Sequence, residues 1–126
     1  MRAIDTNVLI RLITRDDEKQ AKNADAFVVP GAWVPHIVLI EAVWVLISVY
    51  DRSAHDVATA VEMLLKHEHL SLQDPDTVAA ALSRFRGKPS VGFSDCLVLE
   101  VARKAGHLPL GTFDRGLSRL DGTHRL

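Results

Sequence analysis

The amino-acid sequence predicts an α/β fold in which a mostly parallel central sheet is flanked by helices on both faces. Short apolar runs alternate along the whole chain with segments whose apolar residues recur at helical spacing. Helices that separate single strands favour parallel pairing of those strands. The chain has 126 residues, of which 48% are hydrophobic, which is typical of one globular domain. We therefore expect one domain over residues 1–126.

Helix starts can be placed in the first part of the chain from its capping residues. Asp5 is suited to cap a helix that follows a strand, and Asp16 and Asp17 are suited to start the next helix. Ser53 and Asp56 have the spacing of a capping box. The predicted elements are a strand over 2–5, a helix through Val8 and Ile13, a helix ending before Pro30, a strand at 33–34, an apolar helix over 38–49, and a helix over 54–66.

The second part of the chain continues the alternation. Asp74 and Pro75 have the residue types expected at a helix cap and the first helical position. Gly106 is suited to end the last long helix. The predicted elements are a strand over 69–73, a helix from Pro75 to before Gly87, a helix over 94–105, and strands over 108–112 and 123–126.

Composition limits the possible protein classes. The longest apolar stretch, residues 37–50, is interrupted by Glu41 and is shorter than the roughly 20 residues of a membrane span, so we expect no membrane segment. The N-terminal residues lack the uninterrupted apolar core of a signal peptide, which predicts a cytoplasmic protein. Cys96, as the single cysteine, agrees with a reducing compartment.

Four acidic residues stand in or beside apolar segments: Asp5, Glu41, Asp95 and Asp114. A buried carboxylate costs several kcal/mol unless a positive charge meets it, and those segments carry no basic residue at a matching place. A divalent cation is the simplest partner. Because the donors are all oxygens, Mg²⁺ or Mn²⁺ is favoured over zinc.

Each acid also has a structural interpretation. Asp5 has the residue type of a helix N-cap, Asp95 could be a favourable charge in the first turn of a helix, and Asp114 could belong to a surface turn. Glu41 has only apolar neighbours three and four positions away, so we expect it to project from the packed face of its helix. A metal site is predicted by the four acids taken together and not by any single one of them.

Basic residues could hold phosphates near such an acidic site. Arg11 and Arg15 are spaced four apart, as are Arg115 and Arg119, which predicts that each pair shares a helix face. A further basic cluster, at positions 84–88, precedes Asp95. Ordinary ion pairs on solvated faces are the alternative.

Four segments taken together resemble the PIN domain: IDTNVLIRL, VLIEAVWVL, FSDCLVLEVARKAG and TFDRGLSRLDG. The sequence is most similar to VapC-like toxin ribonucleases of type II toxin-antitoxin systems. The resemblance implies metal binding by Asp5, Glu41, Asp95 and Asp114. It also implies that Thr6, Asn7 and Thr112 orient carboxylates or water.

The activity implied by this resemblance is that of an endoribonuclease dependent on Mg²⁺ or Mn²⁺. Such an enzyme hydrolyses RNA phosphodiesters with a metal-activated water. The resemblance also implies a homodimer that is inhibited by a cognate antitoxin protein. Two alternatives stay open: a non-catalytic PIN-like module that binds RNA or protein, and a metal-dependent DNA nuclease or phosphatase that uses the same acids.

Other candidate features favour structural roles. The run from His67 to His69 lacks the histidine spacing of a metalloprotease helix, which favours a surface patch. Cys96 is expected to pack as a small apolar group, and Trp44 to lie in the core or at a dimer contact. Trp33 could stack on bases.

Overall fold

The computed structural model describes residues 1–126 and contains two compact units, Met1–Pro75 and Asp76–Leu126. Six α-helices and five short strands alternate along the chain, and every strand pair is parallel. The predicted α/β class is therefore confirmed. The strands form a three-stranded sheet in the first unit and a two-stranded sheet in the second.

The first unit is built around three parallel strands in the order β1-β2-β3, with Ala32 of β2 paired to Arg2 on one side and to Leu70 on the other. Ala32 and Val34 are buried while Trp33 between them is exposed, as the alternation of a strand requires. The elements are β1 (Arg2–Ala3), α1 (Thr6–Thr14), α2 (Glu18–Val28), β2 (Ala32–Val34), α3 (His36–Ser48), α4 (Ala54–Lys66) and β3 (Leu70–Leu72).

Side-chain caps fix where these helices begin. The carboxylate of Asp17 accepts a hydrogen bond from the backbone N–H of Gln20 at the start of α2. At the start of α4, Ser53 and Asp56 each accept a hydrogen bond from the other's backbone N–H, which is the predicted capping box. These local bonds explain why helix starts could be predicted closely.

The second unit contains two helices, two parallel strands and two short 3₁₀ turns. Gly106 takes a left-handed conformation, with φ of 83°, and ends the last long helix as predicted. The elements are α5 (Pro75–Gly87), a 3₁₀ turn (Pro89–Val91), α6 (Phe93–Ala105), β4 (Leu110–Thr112), a 3₁₀ turn (Leu117–Arg119) and β5 (Thr123–Arg125). No helix of the chain has the length and apolar character needed to cross a membrane.

A buried ion-pair network joins α5 to α6. Glu100 is 5% exposed, and its carboxylate accepts hydrogen bonds from Arg84 Nε and, at 3.2 Å, from Arg103 Nε. Two guanidinium groups therefore neutralise the one acid that is fully buried, as the cost of an isolated buried charge requires. Arg84 is thereby committed to an ion pair rather than left free for phosphate.

Candidate active site

Asp5 follows the end of β1 by two residues and caps α1. Its Oδ1 accepts a hydrogen bond from the backbone N–H of Val8 at 3.1 Å, so the capping role is present in the structure. Its Oδ2 accepts no hydrogen bond from the protein. The cap thus fixes the side chain and leaves one exposed carboxylate oxygen for a ligand.

Asp5 and Glu41 line one cavity of about 330 Å³, together with Thr6 and Asn7. Two apolar residues of α3, Ile37 and Val38, complete its lining. Four residues singled out from the sequence are therefore brought together within the first unit. The cavity combines two carboxylates with a hydroxyl and an amide, which are all oxygen-bearing groups suited to a hard cation and its water ligands.

The expected orientation of Glu41 was wrong. Glu41 is exposed, and its apolar neighbours Ile37 and Trp44 are 74% and 64% exposed. Because α3 is apolar on nearly every side, the apolar neighbours of a residue do not identify the packed face. That face is formed by Leu39, Ala42, Val43 and Leu46. Trp44 is accordingly not a core residue.

Asp95 lies half-buried in the first turn of α6, beside the buried Cys96 and Leu99. Burial raises the pKa of the Asp95 carboxyl above its ordinary value, and the nearby negative charge of Asp114 raises this pKa further. Ionising Asp95 in the metal-free protein therefore costs more free energy than ionising an aspartate in water. A cation bound to this carboxylate would relieve both effects.

Asp114 is exposed and precedes the 3₁₀ turn over Leu117–Arg119. Its Oδ1 accepts a hydrogen bond from the backbone N–H of Leu117 at 2.8 Å. The backbone N–H of Asp114 in turn donates to Thr112 Oγ1 at 2.9 Å. The surface-turn interpretation is thus correct as geometry, and Thr112 positions the backbone that carries the acid.

None of these four acids forms an ion pair with arginine or lysine, whereas Glu100 has two arginine partners. The structure contains no group of three or more His, Cys, Asp or Glu side chains that could hold a metal ion. The four acids are grouped in twos: Asp5 and Glu41 in the first unit, Asp95 and Asp114 in the second. Their carboxylate oxygens fit Mg²⁺ or Mn²⁺ in donor chemistry.

The basic residues expected to share helix faces are arranged differently. Arg11 and Arg15 are both ion-paired, with Asp16 at 3.2 Å and with Asp25 at 2.6 Å. Arg115 precedes a 3₁₀ turn and Arg119 is the last residue of that turn, so the two do not share an α-helical face. The ion-pair alternative is therefore correct for the pair on α1.

Cys96 and the run from His67 to His69 have structural roles. Cys96 is completely buried, and burial raises the pKa of its thiol to about 11, which agrees with the prediction that it packs as a small apolar group. His69 Nε2 lies 3.2 Å from Glu68 on the surface, and the two histidines 67 and 69 stack edge to face. Glu100 was not singled out, although Arg103 at helical spacing indicates a partner for it.

Among known protein families, the PIN domain matches this sequence. The match covers residues 3–123. The chain belongs to the PIN domain family. PIN domain proteins are generally metal-dependent nucleases, and the unpaired carboxylates of this PIN domain fit a nuclease role. Comparisons with curated proteins and with solved structures gave no match.

Proposed function

We propose that this PIN domain protein is a cytoplasmic endoribonuclease of the VapC type that depends on Mg²⁺ or Mn²⁺. One contrast carries the proposal: the buried Glu100 has two arginine partners, while Asp5, Glu41, Asp95 and Asp114 have none. A fold that neutralises its buried acid while leaving these four without a base supports a cation as their partner.

Each of the four acids is a proposed metal ligand: Asp5 and Glu41 in the first unit, and Asp95 and Asp114 in the second. A divalent cation held by such carboxylates would supply the positive charge that activates a water and stabilises the leaving oxygen of a phosphodiester. Asp5 contributes an oxygen that its cap leaves open, and Asp95 contributes a carboxylate whose ionisation the protein alone disfavours. Thr6 and Asn7 lie in the cavity of Asp5 and Glu41, where they can orient water or substrate.

We also propose that the protein forms a homodimer and is inhibited by a cognate antitoxin protein. The exposed apolar residues of α3 support a protein contact there, since Ile37, Trp44 and Ile47 are all more than half exposed. These residues flank Glu41 in sequence. A protein bound to α3 would therefore be close to one of the acids.

The decisive experiment incubates structured RNA with the protein and Mg²⁺ or Mn²⁺, then repeats the incubation with EDTA and with Asp5→Asn. Asparagine retains a side-chain oxygen for the cap but removes the charge. Asp17→Asn is the matched control, because Asp17 caps α2 in the same way and lies outside the proposed site. We expect EDTA and Asp5→Asn to abolish cleavage and Asp17→Asn to leave it unchanged.

Parallel incubations with DNA and with a small phosphomonoester separate the substrate classes. Preferential hydrolysis of either would replace the ribonuclease proposal. RNA cleavage that survives EDTA or Asp5→Asn would contradict the proposed metal site.

A further inference from the structure

A second cavity, of about 400 Å³, lies between α1 and α2. It shares Asp5 and Asn7 with the cavity that contains Glu41. Its size is at the lower end of small-molecule sites. The residues lining it are Asp5, Asn7, Val8, Arg11, Gln20, Asn23, Ala24 and Phe27. A ligand here would be directly beside Asp5.

The lining combines one aromatic ring with amide side chains. Phe27 is 37% exposed, and the guanidinium of Arg2 lies 3.9 Å from its ring centroid. Arg2 Nη2 also donates to the backbone carbonyl of Phe27 at 2.6 Å, which fixes this stacked pair. The amides of Asn7 and Asn23 make no hydrogen bond within the protein. An aromatic surface next to free amides suits a nucleobase, which stacks on its face and hydrogen-bonds at its edge.

The hydrogen bond from Arg11 fixes which atom of the Gln20 amide is left to bind a ligand. Arg11 Nη1 donates to Asp16 at 3.2 Å and to the Tyr50 hydroxyl at 3.3 Å, and its Nε donates to Gln20 Oε1 at 2.6 Å. Since a guanidinium can only donate, the atom of Gln20 that faces it is the oxygen. The amide nitrogen of Gln20 is then left as a donor. Gln20 can therefore donate to an acceptor on the edge of a base, whether a carbonyl oxygen or a ring nitrogen.

We infer that this cavity binds one nucleobase of the RNA substrate. The inference rests on the proposed function, because RNA is the substrate that brings a base beside Asp5. A phosphate is disfavoured here, since Arg11 already has an acidic partner and Asp5 adds negative charge. Every base offers a face that stacks on an aromatic ring and an edge acceptor that Gln20 can meet, so a base fits this lining better than a phosphate does.

The test measures binding of fluorescein-labelled tetrauridylate and of an abasic oligonucleotide of the same length by anisotropy in EDTA, where metal-dependent cleavage is absent. The two oligonucleotides carry equal charge, so general phosphate attraction contributes equally to both. We expect tetrauridylate to bind about tenfold more tightly, in line with the stacking of one base. Phe27→Ala should remove most of that preference, and Gln20→Ala should weaken tetrauridylate binding by about fivefold through one lost hydrogen bond.

Val29→Ala is the control, since it also truncates an exposed apolar residue near the end of α2 and lies outside this cavity. Equal affinity of the wild-type protein for the two oligonucleotides, or unchanged affinities in Gln20→Ala and Phe27→Ala, would overturn the inference and favour a protein segment as the occupant. RNA cleavage that is indifferent to both substitutions would leave the proposed function intact while removing the base site. Preference for the oligonucleotide that carries bases, without cleavage in any metal, would support the base site and remove the ribonuclease activity.

Discussion

The network around Glu100 allows a quantitative prediction about stability. Arg84→Met leaves a 5%-exposed carboxylate with Arg103 alone, and breaking a buried ion pair typically costs ~3–5 kcal/mol. The side chain of Arg84 is itself 35% exposed, which places the expected loss near the lower limit, at ~3 kcal/mol. For a chain of this length, that corresponds to a fall in Tm of about 10 °C.

Glu100→Gln should cost less than Arg84→Met. The charge that is removed is the buried one, and the two arginines left behind are about one-third exposed, so water can solvate them. We expect a loss of about 1 kcal/mol for Glu100→Gln. Arg84→Met is expected to lose more stability than Glu100→Gln because the carboxylate it leaves behind is buried, whereas the arginines are not.

Urea denaturation followed by far-ultraviolet circular dichroism in EDTA measures both changes. Lys22→Met is the control, because Lys22 forms only an exposed pair with Glu18 on α2, at 3.6 Å, and should lose less than about 1 kcal/mol. If Arg84→Met is no less stable than Lys22→Met, the ion pairs of Glu100 do not stabilise the fold. The contrast between Glu100 and the four unpaired acids would then not support a metal site.

Three further predictions follow from single groups. Because the pKa of Asp95 is raised in the folded protein, the contribution of Asp95 to metal-free stability falls as pH rises through the ordinary aspartate range. Asp95→Asn should therefore raise Tm in EDTA at pH 7 and reduce the increase in Tm that Mn²⁺ produces. An unchanged increase in Tm with Mn²⁺ would count against Asp95 as a ligand. With a pKa of about 11, the buried Cys96 thiol should react with iodoacetamide at pH 8 only after urea unfolding, and rapid alkylation of the folded protein would contradict its burial. Ser53→Ala should cost ~1 kcal/mol in urea denaturation by removing the cap of α4, with no loss expected if the capping box is unimportant.

Much of the fold could be predicted because its helix boundaries are set by local hydrogen bonds. Ser53, Asp56 and Gly106 act within a few residues of their own positions, so their roles can be recognised in the sequence. Strand limits were less accurate: the strand expected over 108–112 begins at Leu110. The separation of the strands into two sheets depends on pairing between distant segments, which local patterns do not specify.

The candidate site shows the same division between local and distant determinants. Asp5 and Asp114 could be located because each follows a strand and caps the next turn. Glu41 was placed on the wrong face because α3 is apolar almost all round. Glu100 was overlooked because its stronger partner, Arg84, lies sixteen residues away on another helix.

The dual use of Asp5 and Asp114 has an evolutionary consequence. In each, one carboxylate oxygen holds the backbone of the following turn while the negative charge is available to the proposed cation. Asparagine at either position would keep the first property and discard the second. A lineage can therefore become a well-folded pseudoenzyme through one exchange, with no penalty in folding to reveal the change.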